Sequence, residues 1–347
     1  MRITLGDKVA FLLLLLAAAI PMMMACGRDA VPTLTSVPEP GSITIYAGRS
    51  EKLIAPIIQQ FSDASGIGVS VKYGKTASLA ATLLEEGDNS PADVFYAQDP
   101  GGIGSVENLL SPLPKDTLNR VPEWARSPDL NWVGISGRAR VVVYNSDELT
   151  EAELPGDLWG FVEPQWKDRI GWPPTNSSFQ TMITGLRSVW GEEKTREWLE
   201  GIQANSPTIY AQNTPTVAAT GSGEVSVGFV NHYYLYRFLL EEGDDFPARN
   251  YHLRDGGAGA LVMVSGAGIL GTSKNKRDAK KFINFLLSKP AQQYFAQKTY
   301  EYPLIEGVDV HPLLTSLGDI KKPAIPLREL SDLDGTQNLL RQTGVLP

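Results

Sequence analysis

The sequence predicts an α/β protein with two lobes, and three observations support this prediction. Strand and helix patterns alternate from residue 42 onward, which is typical of parallel sheets covered by helices on both faces. The chain of 347 residues has the length of about two domains. No proline-rich linker divides the body near its middle, so we expect two lobes joined by more than one crossover.

The composition excludes several classes of protein. Asp and Glu number 39 against 31 Lys and Arg, and the formal net charge is −8. This acidic balance argues against nucleic acid as the main partner, which would require a concentrated basic surface. One cysteine and three histidines exclude an intramolecular disulfide and a histidine-rich zinc site.

The beginning of the chain predicts export. The apolar run at 9–20 follows a short charged start and is too short to span a bilayer, but it suits a secretory signal. The sequence MMACG resembles a bacterial lipobox, in which Cys26 would carry lipid. We therefore expect a lipoprotein signal peptide at 1–25, a Pro/Thr-rich tether at 26–41 and a body held by lipid on the outer face of a membrane. The alternative is an ordinary secretory signal with an unrelated cysteine.

Beyond the tether, strands and helices are expected in a regular order. Runs of apolar or alternating residues predict strands at 42–47, 68–73, 92–96, 140–144, 224–230 and 261–264. Apolar residues at helical spacing predict helices at 53–61, 79–84, 179–190, 194–204 and 277–287.

Catalytic motifs are weak in this chain. Residues 266–271 formally match G-x-G-x-x-G, but no acidic residue follows at the distance of a dinucleotide site, so these glycines more often allow close backbone packing. His232, His252 and His311 have no nucleophile that the sequence pairs with them. We therefore expect a protein that is not an enzyme, with an exported hydrolase as the enzymatic alternative.

Tyr233 and Tyr234 form the group with the most distinctive chemistry. They follow a predicted strand and begin a predicted helix, a junction at which two phenols can converge. Phenolate oxygens suit a small, highly charged cation better than soft ligands do. Such a cation can displace the phenolic protons at neutral pH. Taken alone, the pair is also compatible with core packing.

Six blocks of the body occur in the order found in one protein family: ITIYAGR (43–49), EEGDNSPADVFY (85–96), SGRARVVVY (136–144), NHYY (231–234), GALV (259–262) and EYPL (301–304). Through them, nearly all of residues 42–310 resembles bacterial ferric-ion-binding proteins, the substrate-binding components of iron ABC importers. The resemblance implies a periplasmic-binding fold of the second type. Its cleft would close on Fe(III) and deliver it to a membrane permease and its ATPase.

The same resemblance suggests the division into lobes. We expect lobe 1 to comprise residues 42–138 and 262–312, and lobe 2 to comprise 139–261 and 313–347. We also expect a monomer.

The resemblance implies that Tyr233 and Tyr234 are the paired phenolate ligands of Fe(III). Two phenolates cannot fill an octahedral shell, so a synergistic anion such as carbonate, phosphate or citrate would complete it. The residues expected to bind this anion are hydrogen-bond donors: Arg138, Asn213, Asn231, Ser177 and Ser178.

Two ligands of well-known family members are missing. Ser50 stands where those members have a histidine, and Gln98 stands where they have a glutamate. Either anions and water fill these positions, or another cleft residue enters, with Tyr46, Tyr96 and Asp99 as the candidates. The remaining alternatives are a ferric chelate, an oxyanion or a small organic anion as cargo, and Arg49 would suit an anionic chelate.

Overall fold

The computed structural model describes residues 41–347. The predicted signal peptide, Cys26 and all but the last residue of the predicted tether lie outside the described residues. Within 41–347, none of the helices combines the length and the apolar character needed to cross a membrane.

The described chain is an α/β structure. Its strands are β1 (Ser42–Ala47), β2 (Gly68–Tyr73), β3 (Val94–Ala97), β4 (Leu110–Ser111), β5 (Trp132–Asn145), β6 (Ile170–Trp172), β7 (Thr208–Ile209), β8 (Val227–Asn231), β9 (Ala248–Tyr251) and β10 (Val262–Leu270). Its α-helices are α1 (Glu51–Ser65), α2 (Thr76–Glu86), α3 (Pro100–Gly104), α4 (Lys115–Leu118), α5 (Ser177–Trp190), α6 (Glu192–Ala204), α7 (Asn213–Gly221), α8 (Tyr233–Glu242), α9 (Lys276–Leu286), α10 (Lys289–Lys298) and α11 (Leu333–Gln342).

The strands form one mixed sheet in the order β2-β1-β3-β10-β5-β8-β6-β7, with β4 beside β10 and β9 beside β5. Pairing is parallel in the outer parts, among β1, β2 and β3 and among β6, β7 and β8. It is antiparallel in the centre, where β10 pairs with β3 and β5, and β5 pairs with β8. The expectation of parallel sheets is therefore wrong for the centre, because β10 returns beside strands that lie far away in the sequence.

Strand β5 connects the two halves of the structure. Its first half pairs with β10, and its second half, from Arg140 to Asn145, pairs with β8 and β9. The sequence predicted only residues 140–144 of this strand, because polar Ser136 and Arg138 interrupt the apolar pattern of its first half. Both side chains are completely buried.

The hydrophobic core is divided in the same way. One cluster contains the side chains of β1, β3, α1, α8, α9 and β10, and the other contains those of α5, α6, β6 and the end of α11. The two-lobed α/β class predicted from the sequence agrees with this architecture, while the residue boundaries of the lobes stay a prediction.

The glycines of the G-x-G-x-x-G match serve packing. Gly266 and Gly268 lie inside β10. A Cβ atom on Gly268 would come within 2.7 Å of the Leu110 side chain, and one on Gly266 within 3.1 Å of Ile103. The absence of a side chain lets neighbouring residues approach the strand closely.

Candidate metal centre

Tyr233 and Tyr234 lie where β8 passes into α8. Strand β8 ends at Asn231, and Tyr233 is the first residue of the helix. Neighbouring side chains on a helix normally diverge, but these two rings stack with centroids 4.3 Å apart. The junction therefore brings two phenols to one place, where they are 1% and 6% exposed.

A cleft of about 390 Å³ opens beside Tyr234. Its walls come from the segments that follow β1 and β3 and from the N-terminal ends of α2 and α5. The lining includes Arg49, Ser50, Lys75, Gln98, Asn176, Ser177 and Tyr234. The cavity has room for an anion or chelator in addition to a metal ion.

The N-terminal end of α5 is organised by Asn176. The Asn176 Oδ1 atom accepts hydrogen bonds from the Ser178 backbone N–H (3.1 Å) and the Ser178 hydroxyl (2.6 Å). The side-chain amides of Gln98 and Asn231 each donate to the Ser178 Oγ atom at 3.1 Å. Ser177 and Ser178 lie in the first turn of α5, and backbone N–H groups at the beginning of a helix favour anions.

Arg140 is a candidate site residue that the sequence analysis did not name. Its side chain is buried, and its Nη1 atom donates to Asn231 Oδ1 at 3.1 Å. Its Nε and Nη2 atoms have no hydrogen-bond partner. Burial lowers the pKa of Arg140 to about 9. A buried cation with free donors and no bonded carboxylate is a natural binding partner for an anion.

Arg138, which the sequence analysis placed among the anion-binding residues, has other partners. Its Nη2 atom donates to Glu301 at 2.8 Å, and its Nη1 atom donates to the backbone carbonyl of Gln98. Arg138 stays a predicted anion-binding residue through its Nε atom, which has no partner, while both of its Nη atoms are bonded to protein groups. Arg140, two residues along the same strand, has more free donors, and they lie beside Asn231 and Ser178.

Most buried polar atoms without a hydrogen-bond partner in residues 41–347 belong to this region. They are atoms of Arg49, Tyr96, Asp99, Arg138, Arg140, Asn213 and Tyr233. Buried polar groups are nearly always hydrogen-bonded in native proteins, so a cluster of unpartnered ones indicates a ligand-binding site. Asn213 is the first residue of α7, and neither its side-chain amide nitrogen nor its amide oxygen has a hydrogen-bond partner.

The remaining candidates are placed differently from one another. The Tyr46 hydroxyl donates to Glu86 at 2.8 Å, and Tyr46 does not line the cleft, so this geometry does not favour Tyr46 as a ligand. Asp99 uses its Oδ1 atom to cap α3 and to accept from Thr181, which leaves its Oδ2 atom without a partner. Tyr96 is fully buried with its hydroxyl unpartnered.

The side-chain atoms available here to coordinate a metal ion are oxygen atoms. In residues 41–347 no three His, Cys, Asp or Glu side chains come together as a metal-binding group, so a cation here would rest on the phenols. Burial, together with the neighbouring Tyr233, raises the pKa of Tyr234 well above its usual value. A cation must therefore displace a proton in order to bind, as hard, highly charged ions do.

Comparisons with known proteins agree with this chemistry. A model of the family described as bacterial extracellular solute-binding protein matches residues 89–317. The chain is 34% identical to the major ferric iron-binding protein of Neisseria meningitidis, over 89% of this chain and 95% of that protein. It is 30% identical to the Fe(3+)-binding periplasmic protein of Serratia marcescens, over 94% and 95% of the two chains.

Solved structures give the same result. Iron-bound HitA from Pseudomonas aeruginosa superposes with a TM-score of 0.84 at 31% identity, over 88% of this chain and all of the other. A Trichodesmium protein in complex with iron and citrate gives a TM-score of 0.74 at 28% identity, over 88% and 99% of the two chains. These matches confirm the resemblance and the fold class predicted from the sequence. The relatives are named as binding proteins, in agreement with the prediction that the chain is not an enzyme.

Proposed function

The chain belongs to the family of bacterial extracellular solute-binding proteins, and from that premise we propose that it binds ferric ion together with an anion. Tyr233 and Tyr234 supply the phenolate ligands. The observation that carries the proposal is the stacked, buried pair of phenols, which lies beside a cleft and close to a cluster of buried polar atoms without hydrogen-bond partners. The names of the relatives, which specify ferric iron, support the choice of cargo.

The charge of the site favours a bound anion. The buried guanidiniums of Arg49, Arg138 and Arg140 face only two buried carboxylates, Glu301 and Asp99, which leaves one positive charge. Fe(III) with two phenolates adds another, so a dianion would bring the site to neutrality. Uncompensated charge is costly in a buried environment. Carbonate or hydrogen phosphate meets this requirement, and a citrate complex would leave an excess negative charge.

Arg140, Asn213, Asn231 and the first turn of α5 would hold the anion. The amides and the guanidinium offer directed donors, and the helix N-terminus adds a partial positive charge. Ser50 and Gln98 then need no ligand role, because anion oxygens and water complete the coordination shell.

The proposal is tested by thermal unfolding of the purified, metal-free protein. Ferric citrate should raise the melting temperature in the presence of bicarbonate or phosphate, since a ligand that binds only the folded state stabilises it. Tyr233→Phe and Tyr234→Phe should abolish most of this shift. Tyr236→Phe is the matched control, because the Tyr236 hydroxyl bonds to the Leu313 carbonyl and does not line the cleft. The proposal would be contradicted if ferric citrate raised the melting temperature equally in Tyr233→Phe, Tyr234→Phe and Tyr236→Phe.

A metal-free oxyanion or small organic anion is the second candidate, because three buried arginines suit an anion by themselves. In that case Tyr233→Phe would weaken anion binding only modestly, and ferric ion would add nothing to the stabilisation.

We further propose that the protein serves an ABC importer, to whose permease and ATPase it delivers the cargo. In this proposal it acts as a monomer anchored by lipid on Cys26. Mass spectrometry of the protein isolated from its own membrane tests the anchor: an unmodified N-terminal peptide containing Cys26 would contradict it.

A further inference from the structure

Glu301 is a buried carboxylate that joins two arginines next to the candidate metal ligands. Its side chain is fully buried, and it accepts from Arg49 Nη2 at 2.7 Å and Arg138 Nη2 at 2.8 Å. The hydroxyls of Ser136 and Thr299 donate to it at 3.0 and 2.9 Å. Its four partners fix the carboxylate in one place.

The backbone around Glu301 is also held firmly. Tyr302, the next residue, exchanges two backbone hydrogen bonds with Gly137 of β5, at 2.7 and 2.9 Å. The carboxylate is thus attached to the strand that carries Arg138. Its position is determined by the sheet and not by a free loop.

Both guanidiniums lie against the Tyr233 ring. The Cζ atoms of Arg49 and Arg138 are 5.8 and 5.6 Å from its centroid. At these distances a cation interacts with the electrons of the ring. A guanidinium would stabilise the phenolate form of Tyr233 more strongly than the neutral phenol, because opposite charges attract strongly away from water.

Glu301 offsets one of these two charges. Burial opposes its ionisation, but the guanidiniums of Arg49 and Arg138 outweigh burial and lower the pKa of Glu301 below its usual value. It therefore remains a carboxylate, and Arg49 and Arg138 with Glu301 present Tyr233 with one net positive charge instead of two.

Building on the proposed function, we propose that Glu301 is a positioning residue of the ferric site. It holds the guanidiniums of Arg49 and Arg138 beside Tyr233 and limits their net charge. In this way it sets how strongly the Tyr233 phenolate donates electrons to the metal.

A purely structural role would have a different signature. Loss of Glu301 would then reduce the free energy of unfolding, because two buried arginines would lose their carboxylate partner. The absorption band of the iron-bound protein would keep its wavelength, because the charge of Glu301 would then have no influence on the phenolate.

The test is the phenolate-to-iron absorption band of the purified, iron-loaded protein. Glu301→Gln keeps the shape of the side chain but removes its charge. The added net positive charge lowers the energy of the phenolate electrons, so we expect the band to move to shorter wavelength. Ferric affinity should fall by about tenfold or more, since a buried ion pair loses one partner. Asp93→Asn is the matched control, because Asp93 is also a buried carboxylate but is bonded to Thr44 and Ser273. This variant should leave the band at the wild-type wavelength.

A double variant that restores the net charge separates the effect of charge from an effect on folding. The double variant Arg49→Gln/Glu301→Gln returns the net charge to that of the wild type, so its band should return toward the wild-type wavelength. Arg49→Gln alone should move the band to longer wavelength. The proposal is overturned if the band stays in place in Glu301→Gln or, where that variant does not fold, in Arg49→Gln. Absence of any band in the wild type would instead contradict the proposed ferric function.

Discussion

Arg140 shows at the scale of one residue how the site differs from an ordinary core. Its guanidinium is buried, and its hydrogen-bonding neighbours, Asn231 and Ser178, are neutral. Keeping an unpaired cation in such a place lowers the stability of the metal-free protein. Proteins tolerate such a cost where function requires it, and we attribute this one to anion binding.

Replacement of Arg140 should therefore affect stability and binding in opposite directions. We expect Arg140→Met to raise the melting temperature of the metal-free protein by about 2–6 °C. The same variant should lose about tenfold or more in ferric affinity measured with bicarbonate or phosphate. Thermal unfolding and chelator competition give the two readouts.

Arg126→Met is the control for Arg140→Met. Arg126 bonds to Asn119 near the surface, so its replacement should change neither quantity appreciably. A loss of stability in Arg140→Met with unchanged affinity would assign Arg140 a structural role instead.

The sequence could identify the phenols but not the difference between the two arginines of β5. Tyr233 and Tyr234 are adjacent, so their proximity follows from the chain itself. Arg138 and Arg140 lie two residues apart on β5 and point to the same side of the strand. The difference between them depends on Glu301, which is 163 residues from Arg138 in the sequence, and local patterns contain no information on that contact.

At the scale of secondary-structure elements, Gln98 links the end of β3 to the beginning of α5. Its amide donates to Ser178 Oγ at 3.1 Å and to Asn176 Oδ1 at 3.4 Å. These elements belong to the different lobes that the sequence predicts. Gln98 thus joins two walls of the cleft, and we expect this contact to favour the closed arrangement.

Gln98→Ala should shift the protein toward an open arrangement. Two lost hydrogen bonds correspond to about 1–2 kcal/mol, which is roughly 5- to 30-fold in a population. Ferric affinity should fall by a similar factor, since a ligand binds more weakly when the competent state is less populated. Small-angle scattering should show a larger radius of gyration for the variant.

Gln59→Ala is the matched control for Gln98→Ala. Gln59 is an exposed residue that bonds to Asp63 within α1. Identical scattering and affinity for Gln98→Ala and the wild type would refute the role of Gln98 in closure.

At the scale of the whole molecule, the sequence predicted the α/β class and most elements but not the central pairing. Apolar periodicity is a local property, so it located the strands at 42–47 and 68–73 as they occur. The antiparallel pairing of β5 with β10 is determined by contacts between distant segments. The buried polar residues of β5, Ser136, Arg138 and Arg140, interrupt the apolar pattern, so the sequence predicted too short a strand.

The buried His232 and the partly buried His252 should make stability depend on pH. Burial lowers the pKa of His252 to about 4, and burial together with the charge of His252 lowers that of His232 to about 3. An unfolded histidine titrates near pH 6.5, so below that pH the unfolded chain binds protons that the folded chain does not. Their contribution to stability is therefore complete above about pH 6.5 and is lost progressively as the pH falls toward these lowered values.

We accordingly expect the melting temperature of the metal-free protein to fall between pH 7 and pH 4, and to fall less steeply in His252→Gln. Differential scanning calorimetry at several pH values provides the measurement. Parallel curves for the two proteins would show that His252 does not contribute.

The central claim is that Tyr233 and Tyr234 bind ferric ion as phenolates, and the visible absorption spectrum tests it most directly. On addition of ferric citrate, the metal-free protein should develop a phenolate-to-iron charge-transfer band. We expect this band to be lost or strongly weakened in Tyr233→Phe and in Tyr234→Phe and to persist in Tyr236→Phe. No band in the wild type, or an unchanged band in both ligand variants, would contradict the account.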